Sequence, residues 1–355
     1  MHAEYLTGPI AGASVQYREM QSMKLSTLTK AVAGGVAFSA LMAGVAFADA
    51  ALVYDGGGKF DKSFNEAAYM GAEKFKAEGG AYQDLEISGD AMREQAVRQF
   101  AARGNNPIVL PGFSWETALR TVAPEFPDTK FTIIDTVVDL PNVQSVVFKE
   151  QEGSYLVGIL AAMKSESGKI GVVPAFNFDL LEAFACGYAQ GAKSVNPDIK
   201  ITEAYTGTTP AAWNDPVTAG ELAQASMDGG SDIVYAAAGG SGLGVLQAMA
   251  DAGKYSIGVD SNQNYLHPGS VMTSMLKRVD TAIITAFTEA GDDATFKPGV
   301  KILGLAEEGV DYAIDDNNKD LVSAEEIAQL DDLKAKIIAG EISVHDYTTD
   351  SACPL

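Results

Sequence analysis

Ala51-Leu52-Val53-Tyr54-Asp55-Gly56-Gly57-Gly58-Lys59-Phe60-Asp61-Lys62-Ser63-Phe64-Asn65 is the stretch on which the fold turns. A short apolar run ends in an acid and three glycines, and Ser63 then stands where it can cap a helix running to about Ala77. Strand, tight loop and helix in that order open a βαβ unit, and a glycine loop at the strand's end lets backbone come close to a ligand. As a dinucleotide fingerprint the loop fails. G-x-G-x-x-G would place its third glycine at Phe60 or Asp61, where a side chain blocks close approach to a pyrophosphate.

Outward from this stretch the same alternation repeats. LEIS, PIVLP, FTIID, KIGVVPA, KITEAYT, DIVYAAA and YSIGVD are short apolar runs separated by amphipathic stretches such as residues 91–102. The predicted class is α/β, with two Rossmann-like lobes whose parallel sheets are covered by helices. Three crossovers between the lobes would form a hinge. The expected boundaries are residues 49–147 plus 271–298 for lobe one, 148–270 plus 299–347 for lobe two, and a tail at 348–355.

The first 48 residues read differently. From Met23 the chain runs MKLSTLTKAVAGGVAFSALMAGVAFADA, with Lys24 and Lys30 ahead of an uncharged run at 31–47, and Ala46 and Ala48 before a cut at Asp49. This is the pattern of a cleaved signal peptide at 23–48. Residues 1–22 precede the preferred start and read as a non-native extension. No cysteine follows the apolar run to take a lipid, so the expectation is a soluble periplasmic protein.

Without those 48 residues, 22 basic side chains (25 − 3) face 45 acidic ones (47 − 2), a balance of −23. Such a surface repels nucleic acid and anionic headgroups, so neither is an expected partner. Cys186 and Cys353 leave two readings open: a disulfide formed in an oxidising compartment, or, as the preferred reading, a buried small hydrophobe and a frayed end. His2, His267 and His345 are scattered, no Cys/His spacing suits a metal, and no G-x-S-x-G elbow occurs. Asp315, Asp316 and Asp320 lack the glycine that a calcium loop requires and read as a solvated turn. The chain is therefore read as a binding protein without cofactor or catalysis. A nucleoside hydrolase using carboxylates around Asp55 and Asp61 is kept as a remote alternative.

DGGGKFDKSFNEAAYMGAEKF resembles the opening motif of the basic membrane protein family, the purine-nucleoside-receptor type of ABC-transporter substrate-binding protein. Trp213-Asn214-Asp215-Pro216, the run from Ala237 to Gly244 (AAGGSGLG), Gly258-Val259-Asp260-Ser261-Asn262-Gln263 and Ser274-Met275-Leu276-Lys277-Arg278-Val279-Asp280 resemble the same family in order. The resemblance implies a type I periplasmic binding fold and a nucleoside held between the lobes. It also implies delivery to an inner-membrane permease with its ATPase, by a protein expected to be a monomer.

Carried over residue by residue, the resemblance gives Asp55 and Asn65 as polar groups from lobe one. Phe64 and Trp213 become the two faces of a base sandwich, and Asp260 the acceptor for ribose hydroxyls. Gly239 and Gly240 allow backbone approach, Lys277 bonds sugar or base, and Glu116 is an acid facing the base. The chemistry is apt, because a purine has two apolar faces and a polar rim, and a carboxylate makes strong charge-assisted bonds to hydroxyls. Each residue also has a plainer reading: Phe64 as core, Trp213 as helix-start packing, Asp260 as a turn cap, and Asp61 as a brace for its loop. The ligand alternative is a sugar or signal molecule stacked in the same fold. GGSGLG lacks a following Lys-Ser or Lys-Thr, which disfavours a phosphate and hence a nucleotide.

Overall fold

The computed structural model describes residues 49–291 and 294–355. The expected extension at 1–22 and leader at 23–48 lie outside the described residues.

The first sheet contains β1 (Ala50–Tyr54), β2 (Tyr82–Glu86), β3 (Ile108–Pro111), β4 (Phe131–Ile134) and β5 (Val143–Phe148). The second contains β6 (Lys169–Val172), β7 (Lys200–Glu203), β8 (Ile233–Tyr235), β9 (Tyr255–Asp260) and β10 (Val271–Lys277). The chain then gives β11 (Gly299–Leu303) to the first sheet and β12 (Val310–Tyr312) to the second. The orders are β11-β5-β4-β3-β1-β2 and β12-β10-β9-β8-β6-β7. Every pairing is parallel except β10 with β12. In each sheet the strand order reverses around the first strand, which leaves a crevice beyond the strands' carboxyl ends.

The helices of the first half are α1 (Phe64–Ala77), α2 (Arg93–Ala102), α3 (Glu116–Val122), α4 (Glu150–Lys164) and α5 (Asp179–Val195). Those of the second half are α6 (Pro216–Asp228), α7 (Gly242–Asp251), α8 (Val279–Ala290) and α9 (Ala324–Ile338). Central strands such as β1, β3 and β4 are buried along their whole length, as sheets covered on both faces require. The edge strands β2 and β11 are instead half-buried or exposed at every residue.

Three connections pass between the lobes: from β5 to α4, from β10 to α8, and from β11 to β12. The lobe boundaries differ from those expected in two places. Residues 271–277 form β10 and stay in the second sheet, between parallel β9 and antiparallel β12; only α8, packed on α1, returns to lobe one. Residues 299–303 form β11, which pairs with β5 in the first sheet instead of joining lobe two. An apolar pattern locates a strand but does not name its neighbour, and two similar sheets compete for each one.

Cys186 and Cys353 form a disulfide, which replaces the reading of a small core residue and a frayed end. The tail lies along α5: Ser351 Oγ donates to Asp179 at 2.9 Å, and the Gln190 side chain bonds both the N–H and the carbonyl of His345. Exchanging Cys353 for serine is expected to lower stability by about 2 kcal/mol, because the bridge restrains the unfolded chain across a long loop. Urea unfolding of the variant, and of the parent with reductant, checks this; unshifted midpoints would mean the staple contributes nothing.

Candidate functional site

Between the lobes lies a cavity of about 620 Å³ counted to its open mouth. Its walls are built at the carboxyl ends of strands from both sheets. Lobe one contributes Asp55 and Gly56 after β1, Gly112 after β3, Asp135 after β4, and Asp61, Phe64 and Asn65 at the start of α1. Lobe two contributes Trp213, Ala237, Gly239 and Gly240, Asp260 at the end of β9, Lys277 at the end of β10, and Leu180, Leu181 and Phe184 on α5. Asp55, Phe64, Asn65, Trp213, Gly239, Gly240, Asp260 and Lys277 are thus brought together around one cavity.

Glu116 is not among the lining residues. It sits in the first turn of α3, where its carboxylate pairs with Arg120 at 2.9 Å and accepts from Thr136 Oγ1 at 3.1 Å. The helix turns this acid toward a partner four residues along, and the expectation that it faces a ligand is corrected.

Ser63 occupies the N-cap position but does not cap the helix with its side chain. Asp61 does so, accepting from the N–H groups of Ser63 at 2.8 Å, Asn65 at 3.0 Å and Glu66 at 3.0 Å. Asp61 is therefore the brace of its loop as well as a wall of the cavity. Burial pushes its carboxyl up to about 7 against those three bonds. The Ser63 hydroxyl is left to donate across the cleft to Asp260 Oδ2. Ser261 Oγ donates to the Ser63 carbonyl and Gln263 Nε2 to the Lys62 carbonyl, both at 2.9 Å. These bonds close the rim of the cleft.

Asn65 Nδ2 donates to the carbonyls of Asp55, Gly56 and Gly58, which fixes the glycine loop. Its Oδ1 is buried without a hydrogen-bond partner among the described residues, a condition that costs free energy until a donor arrives. Gly239 has φ +56, and a Cβ there would meet the Trp213 ring at 3.1 Å, so a side chain would displace that ring.

Lys277 is the center of the charge network. Only 2 % exposed, its ammonium lies 2.7 Å from Asp135 of lobe one and 2.9 Å from Glu150 at the first residue of α4. Burial opposes its charge, but Asp135, Glu150 and Asp260 outweigh burial and hold the amine above the usual lysine range. Burial raises the carboxyls in turn: Glu150 up to about 7 despite Lys277, Asp260 up to about 6 despite Lys277 and Ser63, and Asp135 above its ordinary value. Asp135 and Asp260 both have left-handed backbone, φ +72 and +63. Strain of this kind at two facing strand ends marks a site shaped for contact.

Sequence reasoning missed Asp135, Phe113 and Phe184. The signal for Asp135 was present, since FTIID ends in an acid just as ALVYD and YSIGVD do. The aromatics extend the wall: Phe113 lies 4.8 Å from Phe178 across the cleft mouth, and Phe176 lies 5.2 Å from Trp213, ring center to ring center. Among the described residues no cluster of His, Cys, Asp and Glu could hold a metal ion.

Residues 47–348 match the family described as ABC transporter substrate-binding protein PnrA-like. Basic membrane protein A1 of Borrelia garinii is 33 % identical over 290 residues, covering 80 % of this chain and 84 % of the relative. A solute-binding protein of an ABC transporter system from Aeropyrum pernix superposes with a TM-score of 0.76 at 28 % identity, over 84 % of this chain and 93 % of its own. A protein of Pyrococcus horikoshii, 34 % identical over 74 % of this chain and 68 % of its own, is named an uncharacterized lipoprotein. That relative overturns the expectation of a freely diffusing periplasmic protein. A lipid tethers a folded domain without any spanning helix, so the finding that no described helix is long and apolar enough to cross a membrane does not restore it.

Proposed function

This chain belongs to the PnrA-like family of ABC-transporter substrate-binding proteins, and from that premise we propose that its ligand is a purine nucleoside held in the interlobe cavity. The observation that carries the reading is the pairing of aromatic side chains with acceptors in one cavity fed by both lobes. Phe64 from lobe one and Trp213 from lobe two would take the faces of the base, a contribution of about 1–3 kcal/mol per stacked ring. Asp260 would accept from the ribose, while Asp55 and the unpartnered Asn65 Oδ1 would accept from donors on the base. Lys277, already shared among carboxylates, would add a bond to sugar or base. A phosphate would meet Asp55, Asp61, Asp135 and Asp260, so the unphosphorylated nucleoside is favored over the nucleotide.

Transport follows from differential affinity. A ligand touching both lobes stabilises the closed form, in which the rim bonds of Ser63, Ser261 and Gln263 exist. A membrane permease that docks on that form reads ligand occupancy from it.

Calorimetry with adenosine, guanosine, inosine and cytidine tests the ligand. Binding of the purine nucleosides is expected, and tight binding of a sugar in their place would overturn the claim while leaving the fold. Trp213 serves as the optical reporter, because Trp115 is fully buried and does not line the cavity. Purine binding is expected to quench the fluorescence of the Trp115→Phe variant, whose remaining tryptophan is Trp213. An unchanged spectrum at saturating ligand would remove Trp213 from the stack.

A further inference from the structure

Arg93 lies outside the cavity, yet it is bonded to Asp55, which lines it. It is 7 % exposed, and its guanidinium sits 4.6 Å from the ring center of the buried Trp115. One nitrogen, Nη2, donates to Asp55 Oδ1 at 2.7 Å and to Asp90 Oδ1 at 2.8 Å. The Gly56 N–H donates to the same Asp55 oxygen at 2.7 Å. Oδ1 therefore has its donors. Oδ2 has none among the described residues, and it rests against Gly112, where an added Cβ would fall 2.1 Å from it. Asp55 and Gly112 both line the cavity. A fork-on-fork guanidinium contact would occupy both carboxylate oxygens; the single-nitrogen contact here leaves one.

We propose that Arg93 is a positioning residue for the ligand: it commits one oxygen of Asp55 and turns the other, over Gly112, toward an N–H or O–H donor of the bound molecule. This rests on the reading that the cavity takes a purine nucleoside. Trp115 lies beneath the guanidinium and Asp90 shares its Nη2, so Arg93 acts through Asp55 without touching the ligand.

A double-mutant cycle tests the assignment, using Arg93→Met, Arg93→Lys, Asp55→Asn and the Asp55→Asn/Arg93→Met double variant, with guanosine as calorimetric probe and the unfolding midpoint as control. Loss of an aligned charge-assisted bond is worth about 10–100-fold in affinity, and that is the expected effect of Arg93→Met, with Arg93→Lys recovering part of it. In the Asp55→Asn background the same change is expected to alter affinity by less than about threefold, since its route is already cut. An Arg93→Met protein that binds like the parent, or a loss that persists undiminished without the Asp55 carboxylate, overturns the proposal. If Arg93→Met alone fails to fold because Asp55 is left unpaired, Arg93→Lys in the parent and in the Asp55→Asn background takes its place: a loss in the first and none in the second is expected, and equal losses overturn the proposal. A parent protein that binds none of the purine nucleosides refutes the functional reading instead. The crystal structures of the parent and of Arg93→Met then decide the geometry without a ligand: an Asp55 carboxylate unmoved against Gly112 overturns the role of Arg93.

Discussion

Replacing Lys277 with methionine is expected to lower the unfolding free energy by about 3–5 kcal/mol at pH 8, the usual cost of removing one partner from a buried ion pair, and by clearly less at pH 5. The ammonium is 2 % exposed and bridges Asp135 and Glu150, themselves nearly sealed from solvent. Methionine fills much of the same volume, so the loss is electrostatic: two carboxylates remain in a medium that does not solvate them. They can escape by taking up protons, which gives the effect its pH dependence. Burial has already raised the Glu150 carboxyl from 4.5 to about 7 in the folded chain. A group raised on folding contributes stability that is complete below its unfolded value and fades as pH climbs through its folded one. Without Lys277 the folded value moves higher still, so the variant weakens more steeply than the parent between about pH 5 and pH 8. Urea unfolding at both pH values checks this. An equal loss at each would mean that packing, not charge, is what Lys277 supplies.

Much of this arrangement was legible in the sequence because a parallel strand buried on both faces is mostly apolar until it ends. ALVYD, FTIID and YSIGVD each stop in aspartate where the strand reaches the crevice, and Asp55, Asp135 and Asp260 all line the cavity. The helix that follows β1 was readable too, but its cap was not. Ser63 and Asp61 both suit that task, and the choice depended on Asp260, almost two hundred residues away, drawing the serine hydroxyl across the cleft. Glu116 was misplaced for a related reason, since an acid at a helix start is equally apt for a ligand and for an arginine one turn along, and Arg120 was there. The disulfide depended on a tail folding back along α5, a contact with no local pattern. Sheet membership of β10 and β11 failed on the same ground, because pairing partners are chosen by tertiary contacts that two similar sheets offer equally.

Changing Asp260 to alanine is expected to weaken inosine binding by about 100-fold or more and hypoxanthine binding by about 10-fold, charge-assisted bonds contributing about 1.5–3 kcal/mol each. The inequality comes from the two oxygens of the carboxylate. In the closed form Oδ2 accepts the Ser63 hydroxyl, a bond between lobes that any ligand needing closure depends upon. Base and nucleoside therefore both lose it. Oδ1 is free of that duty, and a ribose hydroxyl is the donor that a nucleoside brings and a free base lacks. The left-handed backbone at Asp260 holds the carboxylate at the strand's end, where one group serves both bonds. Ser63→Ala isolates the closure contribution: it removes the interlobe bond and leaves the carboxylate, so it should weaken base and nucleoside by the same factor. Calorimetry of the two variants with the two ligands separates the contributions. Equal losses for inosine and hypoxanthine in Asp260→Ala would place the ribose elsewhere and leave Asp260 as a latch between the lobes, with no part in selecting nucleosides.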